Sequence, residues 1–288
     1  MKEQQLRIAD IANLFPLVFE KMSGAGNDFI IVDHRQQKLP LAHQPEFARR
    51  ICRRKFSVGA DGLILIETAR EADFQWQFYN ADGSVAEMCG NGARCAARFA
   101  YTNGIAGKKM LFQTLAGIIE AEVLDDEETV SLRMTQPVDC HLDQTLVIEG
   151  REMALASINT GVPHAVIFVD EKDLPVKEWG RAVRHHQMFG PAGTNANFIR
   201  LLDDRVLQVR TYERGVEDET QACGTGAVAS AIIAALKGRV VSPVQVVTSG
   251  GEHLRVVFDL SDGTARNVYL QGPARRIYEG RLTEESLL

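Results

Sequence analysis

Two cysteines stand out because each begins the same short motif. Cys89 opens Cys-Gly-Asn-Gly-Ala, and Cys223 opens Cys-Gly-Thr-Gly-Ala. An alanine-rich apolar segment follows in both places, which predicts a buried helix starting just after the cysteine. The first N–H groups of a helix lack internal partners and carry the positive end of the helix dipole. We therefore expect each thiol to ionise readily and each helix end to hold a carboxylate.

Two ionisable thiols suit the removal and return of a proton at a carbon atom. The α-proton of an amino acid is weakly acidic, so its removal needs a base and donors that stabilise the charge developing on the carboxylate. A thiolate on one face takes the proton, and a thiol on the other face supplies a new one. Two thiolates repel each other, so the pair favours the state with one shared proton. This chemistry indicates a cofactor-independent epimerase of amino acids.

The cysteine motif is one of four motifs that recur in the same order along the chain. The two cysteines are 134 residues apart (223 − 89 = 134). At this offset, residues 59–64 fall on 193–198, and residues 80–83 fall around Arg214. Residues 26–33 fall within 161–170 at an offset of 135 (161 − 26 = 135). The shared order and spacing indicate an internal duplication.

The predicted elements fit two similar halves. Helices are predicted at 90–101 and 224–235, with amphipathic helices at 45–55 and 177–187. Runs of β-branched and aromatic residues predict strands at 29–33, 63–67, 74–80, 130–134, 165–169, 206–212, 244–248 and 254–258. We predict an α+β fold of two homologous halves, each with mostly antiparallel strands around a central buried helix. The active site is expected in the cleft between the halves.

The duplication also predicts the domain boundaries. We expect an N-terminal half at residues 17–140, which carries Cys89, and a C-terminal half at residues 141–280, which carries Cys223. The C-terminal end of the chain is expected to pack back on the N-terminal half.

Composition excludes several classes of protein. The chain has 288 residues, of which 45% are hydrophobic and 24% charged, typical of a globular protein. Its net charge of -6 predicts no general attraction for nucleic acid or membranes. The N-terminus lacks the apolar core of a secretory signal. The five cysteines include no Cys-x-x-Cys pair, so we expect neither a zinc site nor a disulfide scaffold, and a reducing cytoplasm is the natural setting.

Cofactor motifs are also missing from the sequence. We find no dinucleotide-binding glycine fingerprint after a strand and no phosphate-binding loop. No lysine stands in a context specific for pyridoxal phosphate. His185 and His186 lack a partner at metal-ligand spacing. We therefore expect no cofactor and no metal.

At these motifs the sequence resembles the diaminopimelate epimerase family. The resemblance extends from about Phe19 to Gly280 and includes residues 23–29, 78–84, 88–94, 212–215, 222–227 and 271–274. The family interconverts LL- and meso-diaminopimelate without a cofactor, in the biosynthesis of lysine and peptidoglycan precursors. The resemblance therefore implies an isomerase with a small amino-acid substrate, and it admits a homodimer.

The resemblance also implies roles for individual residues. The catalytic cysteines of the family match Cys89 and Cys223, and the residues that tune them match His164 and Glu213. Its substrate contacts match Asn27, Asn80, Gly90, Asn91, Asn195, Glu213, Arg214, Gly224 and Thr225. An arginine can grip the distal carboxylate of the substrate with two parallel hydrogen bonds. Asparagine can both donate and accept, which suits a zwitterionic distal centre.

Two departures and three alternatives remain open at the level of sequence. Some family members have asparagine at the position of Val162 and glutamine at the position of Gly62, so the polar lining for the distal end is thinner here. The alternatives are a proline or hydroxyproline racemase, a thiol redox protein and a noncatalytic amino-acid-binding module. Asn80 and Arg214 favour a substrate with a second charged centre over proline.

Overall fold

The chain forms two compact units. The computed structural model describes residues 11–36, 38–148 and 150–288. Unit 1 comprises the described residues up to Leu132 together with Pro273–Leu288, and unit 2 is Arg133–Gly272. The boundary along the chain lies between Leu132 and Arg133, whereas the sequence led us to expect it after residue 140. Residues 1–10, where no secretory signal was expected, lie outside the described residues.

Unit 1 is a mixed but mainly antiparallel sheet with two helices. Its elements are β1 (Leu17–Gly24), β2 (Asn27–Asp33), α1 (Gln44–Ile51), β3 (Gly62–Glu67), β4 (Phe74–Asn80), α2 (Gly90–Thr102), β5 (Lys109–Thr114), β6 (Gly117–Val123), β7 (Thr129–Arg133) at the boundary, and the last strand of the chain, β17 (Arg275–Leu282). The pairs β2–β3 and β4–β5 are parallel. The pairs β1–β17, β1–β2, β3–β4, β5–β6 and β6–β7 are antiparallel.

Unit 2 repeats this arrangement. Its elements are β8 (Val138–Ile148), β9 (Arg151–Asn159), β10 (Pro163–Phe168), α3 (Val176–Arg184), β11 (Asn195–Leu201), β12 (Val206–Glu213), β13 (Asp218–Thr220), α4 (Gly224–Leu236), β14 (Val244–Val247), β15 (His253–Ser261) and β16 (Thr264–Pro273). The pairs β10–β11 and β12–β14 are parallel. The pairs β8–β9, β9–β10, β11–β12, β12–β13, β14–β15 and β15–β16 are antiparallel.

The strand registers reveal which positions correspond. Leu63 lies opposite Tyr79 in unit 1, and Ala196 lies opposite Tyr212 in unit 2, so the offset in these strands is 133 (196 − 63 = 133). The helices after the cysteines keep the offset of 134 (224 − 90 = 134). Asn195 therefore matches Gly62, one position away from the match expected from the sequence. The shared topology confirms the two homologous halves.

Each sheet is covered on both faces by helices. In unit 2, α4 lies against the face that carries Asn197 and Thr211, because a Cβ added at Gly226 would contact both side chains. A Cβ added at Gly180 of α3 would overlap Tyr212, which points to the other face. Ten residues of α4 are buried, and nine residues of α2 are buried in unit 1. The two alanine-rich segments are thus the central buried helices that their composition predicts.

The helix limits differ only modestly from the predictions. Thr102 ends α2 and Leu236 ends α4, and glycines with positive φ follow at Gly104 and Gly238. Helix α1 ends at Ile51, earlier than residue 55, because the chain turns and Lys55 adopts a positive φ of 72°. No helix in the described parts of the chain has both the length and the apolar character needed to cross a membrane.

Candidate active site

Cys89 caps the amino end of α2. Its backbone is extended, with φ of -146° and ψ of 118°, and its carbonyl accepts the first helical hydrogen bond from the N–H of Ala93 at 2.8 Å. The cysteine is half-buried. A side chain at the neighbouring Gly90 would meet no atom of the chain within 4 Å. The helix end is therefore open at Gly90, which leaves room for a substrate group to approach its N–H groups.

Cys223 occupies the same position at the start of α4. Its φ and ψ are -122° and 111°, and its carbonyl accepts from the N–H of Ala227 at 2.9 Å. Its Sγ lies 3.6 Å from the hydroxyl of Thr225. The side chain is 7% exposed. Both sequence motifs thus place a thiol at the positive end of a buried helix, where the helix dipole favours the thiolate.

The other three cysteines occupy different surroundings. Cys52 and Cys95 are buried, and burial raises the pKa of each thiol to about 12. Cys140 is exposed on β8. None of the three directly precedes a helix. They lack the environment that would stabilise a thiolate near neutral pH.

Two of the predicted substrate contacts in unit 1 are joined. Nδ2 of Asn91, in the first turn of α2, donates to Oδ1 of Asn27 at 2.8 Å. Nδ2 of Asn27 in turn donates to a carboxylate oxygen of Asp61 at 3.0 Å. Each side of the Asn27 carboxamide therefore has one partner, which fixes which end is oxygen and which is nitrogen. Asn80 is the exposed last residue of β4, opposite Gly62, and its Nδ2 donates to the hydroxyl of Ser84 at 3.0 Å.

Asp61 is itself held in place by charge. Arg54 forms ion pairs with Asp61 at 2.8 Å and with Asp28 at 2.5 Å. The buried Lys21 pairs with Asp28 at 2.8 Å. Although burial opposes ionisation, the hydrogen bonds from Arg54 and Lys21 outweigh it and hold the pKa of Asp28 at about 2. This support was not predicted from the sequence, although Asp61 is in one of the repeated motifs.

The predicted contacts of unit 2 meet where β10, β11 and β12 adjoin. The buried Asn195 donates from Nδ2 to the carbonyl of Pro163 at 3.0 Å, and its Oδ1 accepts from the backbone N–H of Arg214 at 2.8 Å. Asn195 thus fixes the backbone that carries Arg214. The carbonyl of Thr225 accepts from the buried Thr160 at 3.0 Å, which fixes the first turn of α4.

Arg214 and Glu213 are half-buried neighbours at the end of β12. Among the described residues, no carboxylate forms an ion pair with the guanidinium of Arg214, so its donors are available to a ligand. Burial raises the pKa of Glu213 above its ordinary value. Such a cation beside a carboxyl group of raised pKa is typical of a binding site for a charged molecule.

His164 is completely buried on β10. Burial, with a smaller contribution from the positive charge of Arg214, lowers the pKa of its imidazole to about 3. The ring is therefore neutral at pH 7. Nδ1 lies 3.1 Å from Nδ2 of Asn197. Asn197 was not predicted as a site residue, because a polar residue two positions after Asn195 in a short segment is typical of a turn.

The two departures from the family pattern have different surroundings. A side chain at Gly62 would overlap both the ring of Phe78 and the carbonyl of Tyr79, so a longer residue there requires these neighbours to move. Val162 is half-buried in the turn before β10.

Within the described part of the chain, no three His, Cys, Asp or Glu residues are grouped as metal ligands.

Comparison with known proteins at the sequence level identifies the family of the chain. The diaminopimelate epimerase family model matches residues 19–139 and 156–277. The chain is 47% identical over 279 residues to diaminopimelate epimerase of Aquifex aeolicus and 45% identical over 282 residues to that of Hydrogenobaculum sp.. Each alignment covers 93% of this chain and 99% of the relative.

Solved structures with little sequence identity share the fold. A Bacillus anthracis protein of the phenazine biosynthesis PhzF family has a TM-score of 0.69 at 15% identity, covering 92% of this chain and 98% of that one. A probable proline racemase from Agrobacterium radiobacter K84 has a TM-score of 0.65 at 15% identity, covering 93% of each chain. At this identity the likeness concerns the fold alone.

Proposed function

Because the chain belongs to the diaminopimelate epimerase family, we propose that it interconverts LL- and meso-diaminopimelate with Cys89 and Cys223 as the two proton carriers. The chain is an isomerase that needs no pyridoxal phosphate. One observation carries the proposal: α2 and α4 occupy matching places in a duplicated fold, and each begins directly after a cysteine. A duplicated thiol site suits a reaction that treats the two faces of one carbon alike.

The reaction needs one thiolate and one thiol. The thiolate removes the α-proton of the substrate, and the electron pair of the broken C–H bond moves toward the carboxylate. The N–H groups at the start of α2 and α4 stabilise the resulting negative charge. The thiol then donates its proton to the opposite face of the carbon. The enzyme ends with the protonation states of the two sulfurs exchanged, so the next turnover runs in the reverse sense or follows proton exchange with solvent.

Residues around the two helix starts recognise the substrate in this proposal. Gly90, Asn91, Gly224 and Thr225 provide the N–H groups for the reacting carboxylate. Arg214 binds the distal carboxylate, because its guanidinium matches a carboxylate with two parallel hydrogen bonds. The carboxamides of Asn27, Asn80 and Asn195 and the carboxyl group of Glu213 bind the remaining polar groups of the substrate. The fixed orientation of Asn27 supports this role.

His164 and Glu213 tune the reacting groups. The neutral imidazole of His164 adds a donor without adding a positive charge, and burial raises the pKa of Glu213, which makes its carboxyl group easier to protonate than an exposed one. We also propose that the enzyme acts in the reducing cytoplasm, where thiols persist, and that it assembles as a homodimer, as the family resemblance admits.

Conversion of one stereoisomer tests the proposal. The purified chain is reduced, treated with a metal chelator and supplied with LL-diaminopimelate without pyridoxal phosphate, and the isomers are separated by chiral chromatography. We expect meso-diaminopimelate to accumulate until the two isomers reach equilibrium. The Cys89→Ala/Cys223→Ala double variant is the control. Turnover of proline but not of diaminopimelate would instead favour a racemase, and activity confined to the oxidised protein would favour a redox function.

A further inference from the structure

A buried polar cluster made of His164, Asn197 and Thr211 lies on one face of the sheet in unit 2. The three side chains come from the neighbouring strands β10, β11 and β12, and each is at most 2% exposed. Nδ2 of Asn197 lies 3.1 Å from Nδ1 of His164 and donates to the carbonyl of Ala165 at 2.9 Å. The hydroxyl of Thr211 donates to Oδ1 of Asn197 at 2.9 Å.

These contacts allow only one orientation of the Asn197 carboxamide. A flipped amide would place Oδ1 against the carbonyl oxygen of Ala165, and two oxygens that only accept cannot form a hydrogen bond. The amide nitrogen therefore faces both Ala165 and His164. Thr211 completes the arrangement because its hydroxyl supplies the proton that Oδ1 accepts.

The orientation of Asn197 fixes the tautomer of His164. Nδ2 of Asn197 can only donate, so Nδ1 of His164 must accept and carries no proton. The proton of the neutral ring is then on Nε2. This nitrogen is buried, and no partner for it is found in the described parts of the chain. His164 therefore presents a hydrogen-bond donor that none of the described residues uses.

Unit 1 provides an internal comparison for the cluster. By strand register, Phe29, Ile64 and Phe78 occupy the positions that match His164, Asn197 and Thr211. They form an ordinary apolar contact in which the rings of Phe29 and Phe78 lie 5.9 Å apart. The fold is therefore stable with apolar residues at all three positions. Burial of polar groups is costly. The three polar residues in unit 2 are therefore better explained by a functional role than by a contribution to stability.

The cluster lies beside Cys223. Gly226 is in the first turn of α4, and a Cβ added there would overlap Oδ1 of Asn197 and lie 3.3 Å from both Oγ1 of Thr211 and Sγ of Cys223. The matching glycine in unit 1, Gly92, instead faces Ile64 and Phe29 at 3.3 and 3.5 Å. The polar cluster thus supports only the half of the protein that carries Cys223.

We propose that Asn197, held by Thr211 and the carbonyl of Ala165, is a positioning residue that keeps His164 as the Nε2–H tautomer. Its catalytic consequence rests on the proposed function. In that reaction Nε2 of His164 is able to donate a hydrogen bond but cannot take the α-proton, because this nitrogen already carries a proton. Proton transfer is left to the thiols, and the two units differ at this position because Phe29, which matches His164, has no hydrogen-bond donor in its side chain.

Long-range proton–nitrogen NMR of the imidazole rings tests the tautomer directly, without substrate. The full chain is labelled with ¹⁵N-histidine, and His164→Gln identifies the signals of His164. We expect a protonated Nε2 and an unprotonated Nδ1 at neutral pH. A proton on Nδ1, or on both nitrogens, would overturn the proposal. This result does not depend on whether diaminopimelate is the substrate, so it separates this inference from the proposed function.

Variants of the cluster test the role of Asn197. In Asn197→Leu, we expect a mixture of His164 tautomers and a fall in kcat of roughly three- to tenfold with little change in KM, the size of one neutral hydrogen bond. Thr211→Ser keeps the hydroxyl, so this variant should retain both the Nε2–H tautomer of His164 and the kcat of the natural protein. A single Nε2–H tautomer with unchanged kcat in Asn197→Leu would overturn the positioning role. If that variant does not fold, the spectrum of the natural protein still decides the tautomer.

Discussion

The side chain of Asn91 donates a hydrogen bond of 2.8 Å to the side-chain oxygen of Asn27. This bond joins the first turn of α2, two residues after Cys89, to the first residue of β2. Since Asn27 also donates to Asp61, Asp61 helps to orient the carboxamides that lie near Cys89.

Loss of the Asp61 carboxylate should weaken substrate binding more than it slows chemistry. In Asp61→Ala, the Asn27 amide loses the acceptor that fixes its orientation, so we expect KM for diaminopimelate to rise roughly three- to tenfold and kcat to change less. Asp143→Ala is a matched control, because Asp143 is an exposed carboxylate paired with Lys237. A KM that is equal in the two variants would contradict this role of Asp61.

The effect of replacing a cysteine should depend strongly on its position in the fold. We expect Cys89→Ala and Cys223→Ala each to lower kcat by at least 10²-fold, the usual scale for loss of an acid or base. Cys52→Ala, Cys95→Ala and Cys140→Ala should keep kcat, with losses of about 1 kcal/mol in unfolding free energy at the two buried sites. Initial rates measure the change in kcat, and thermal unfolding measures the change in stability. Full epimerisation by either variant of the first pair would refute the two-thiol mechanism.

Arg214→Lys should damage turnover although it preserves the charge. Lysine lacks the two-pronged geometry that matches a carboxylate. The expected loss in transition-state stabilisation is about 2–5 kcal/mol, read from kcat/KM on diaminopimelate. A loss smaller than about threefold would mean that Arg214 does not bind the distal carboxylate.

The neutral state of His164 should make the protein less stable in acid. The pKa of His164 is about 3 in the folded protein and about 6.5 in the unfolded chain. Between these values the unfolded chain binds the extra proton, so stability is fully present above about pH 6.5 and falls as pH decreases toward 3. The free energy of unfolding should fall by about 1.4 kcal/mol per pH unit from this group.

Denaturant unfolding of the natural protein and His164→Gln across this pH range measures the effect. The difference between the two curves isolates His164 from the carboxylates that titrate in the same range. If the unfolding free energies of the two proteins change with pH in the same way, His164 is not held neutral in the folded protein.

The helix starts were accessible from sequence because local signals define them. Alanine-rich segments that follow Cys-Gly-x-Gly predict the start of α2 and α4, and glycines after the last turn predict their ends. Strands such as β17 gave no comparable signal. Half of its residues 275–282 are charged and six of the eight are exposed, and the strand forms because it pairs with β1 at the other end of the chain. The partner of β17 is more than 250 positions away in the sequence (275 − 23 = 252), so the segment by itself does not reveal the pairing.

The supporting residues of the site were hidden for a related reason. Asn197 and Asp61 are polar residues in short segments, where turn and surface roles are common. Only the strand register places Asn197 opposite Thr211, in the position that Ile64 fills in unit 1. The sequence duplication therefore located the two thiols proposed to react, whereas the groups that orient their neighbours required the three-dimensional pairing.

The fate of the α-hydrogen tests the two-thiol mechanism most directly. LL-diaminopimelate is incubated with the reduced enzyme in D₂O, and the isomers are analysed by mass spectrometry at low conversion. The donating thiol exchanges with solvent, so we predict that newly formed meso-diaminopimelate carries one deuterium at the inverted carbon while the remaining substrate keeps its hydrogen. Meso product that retains the original hydrogen would show that a single base moves the proton between faces, and it would contradict the assignment of Cys89 and Cys223 as two separate proton carriers.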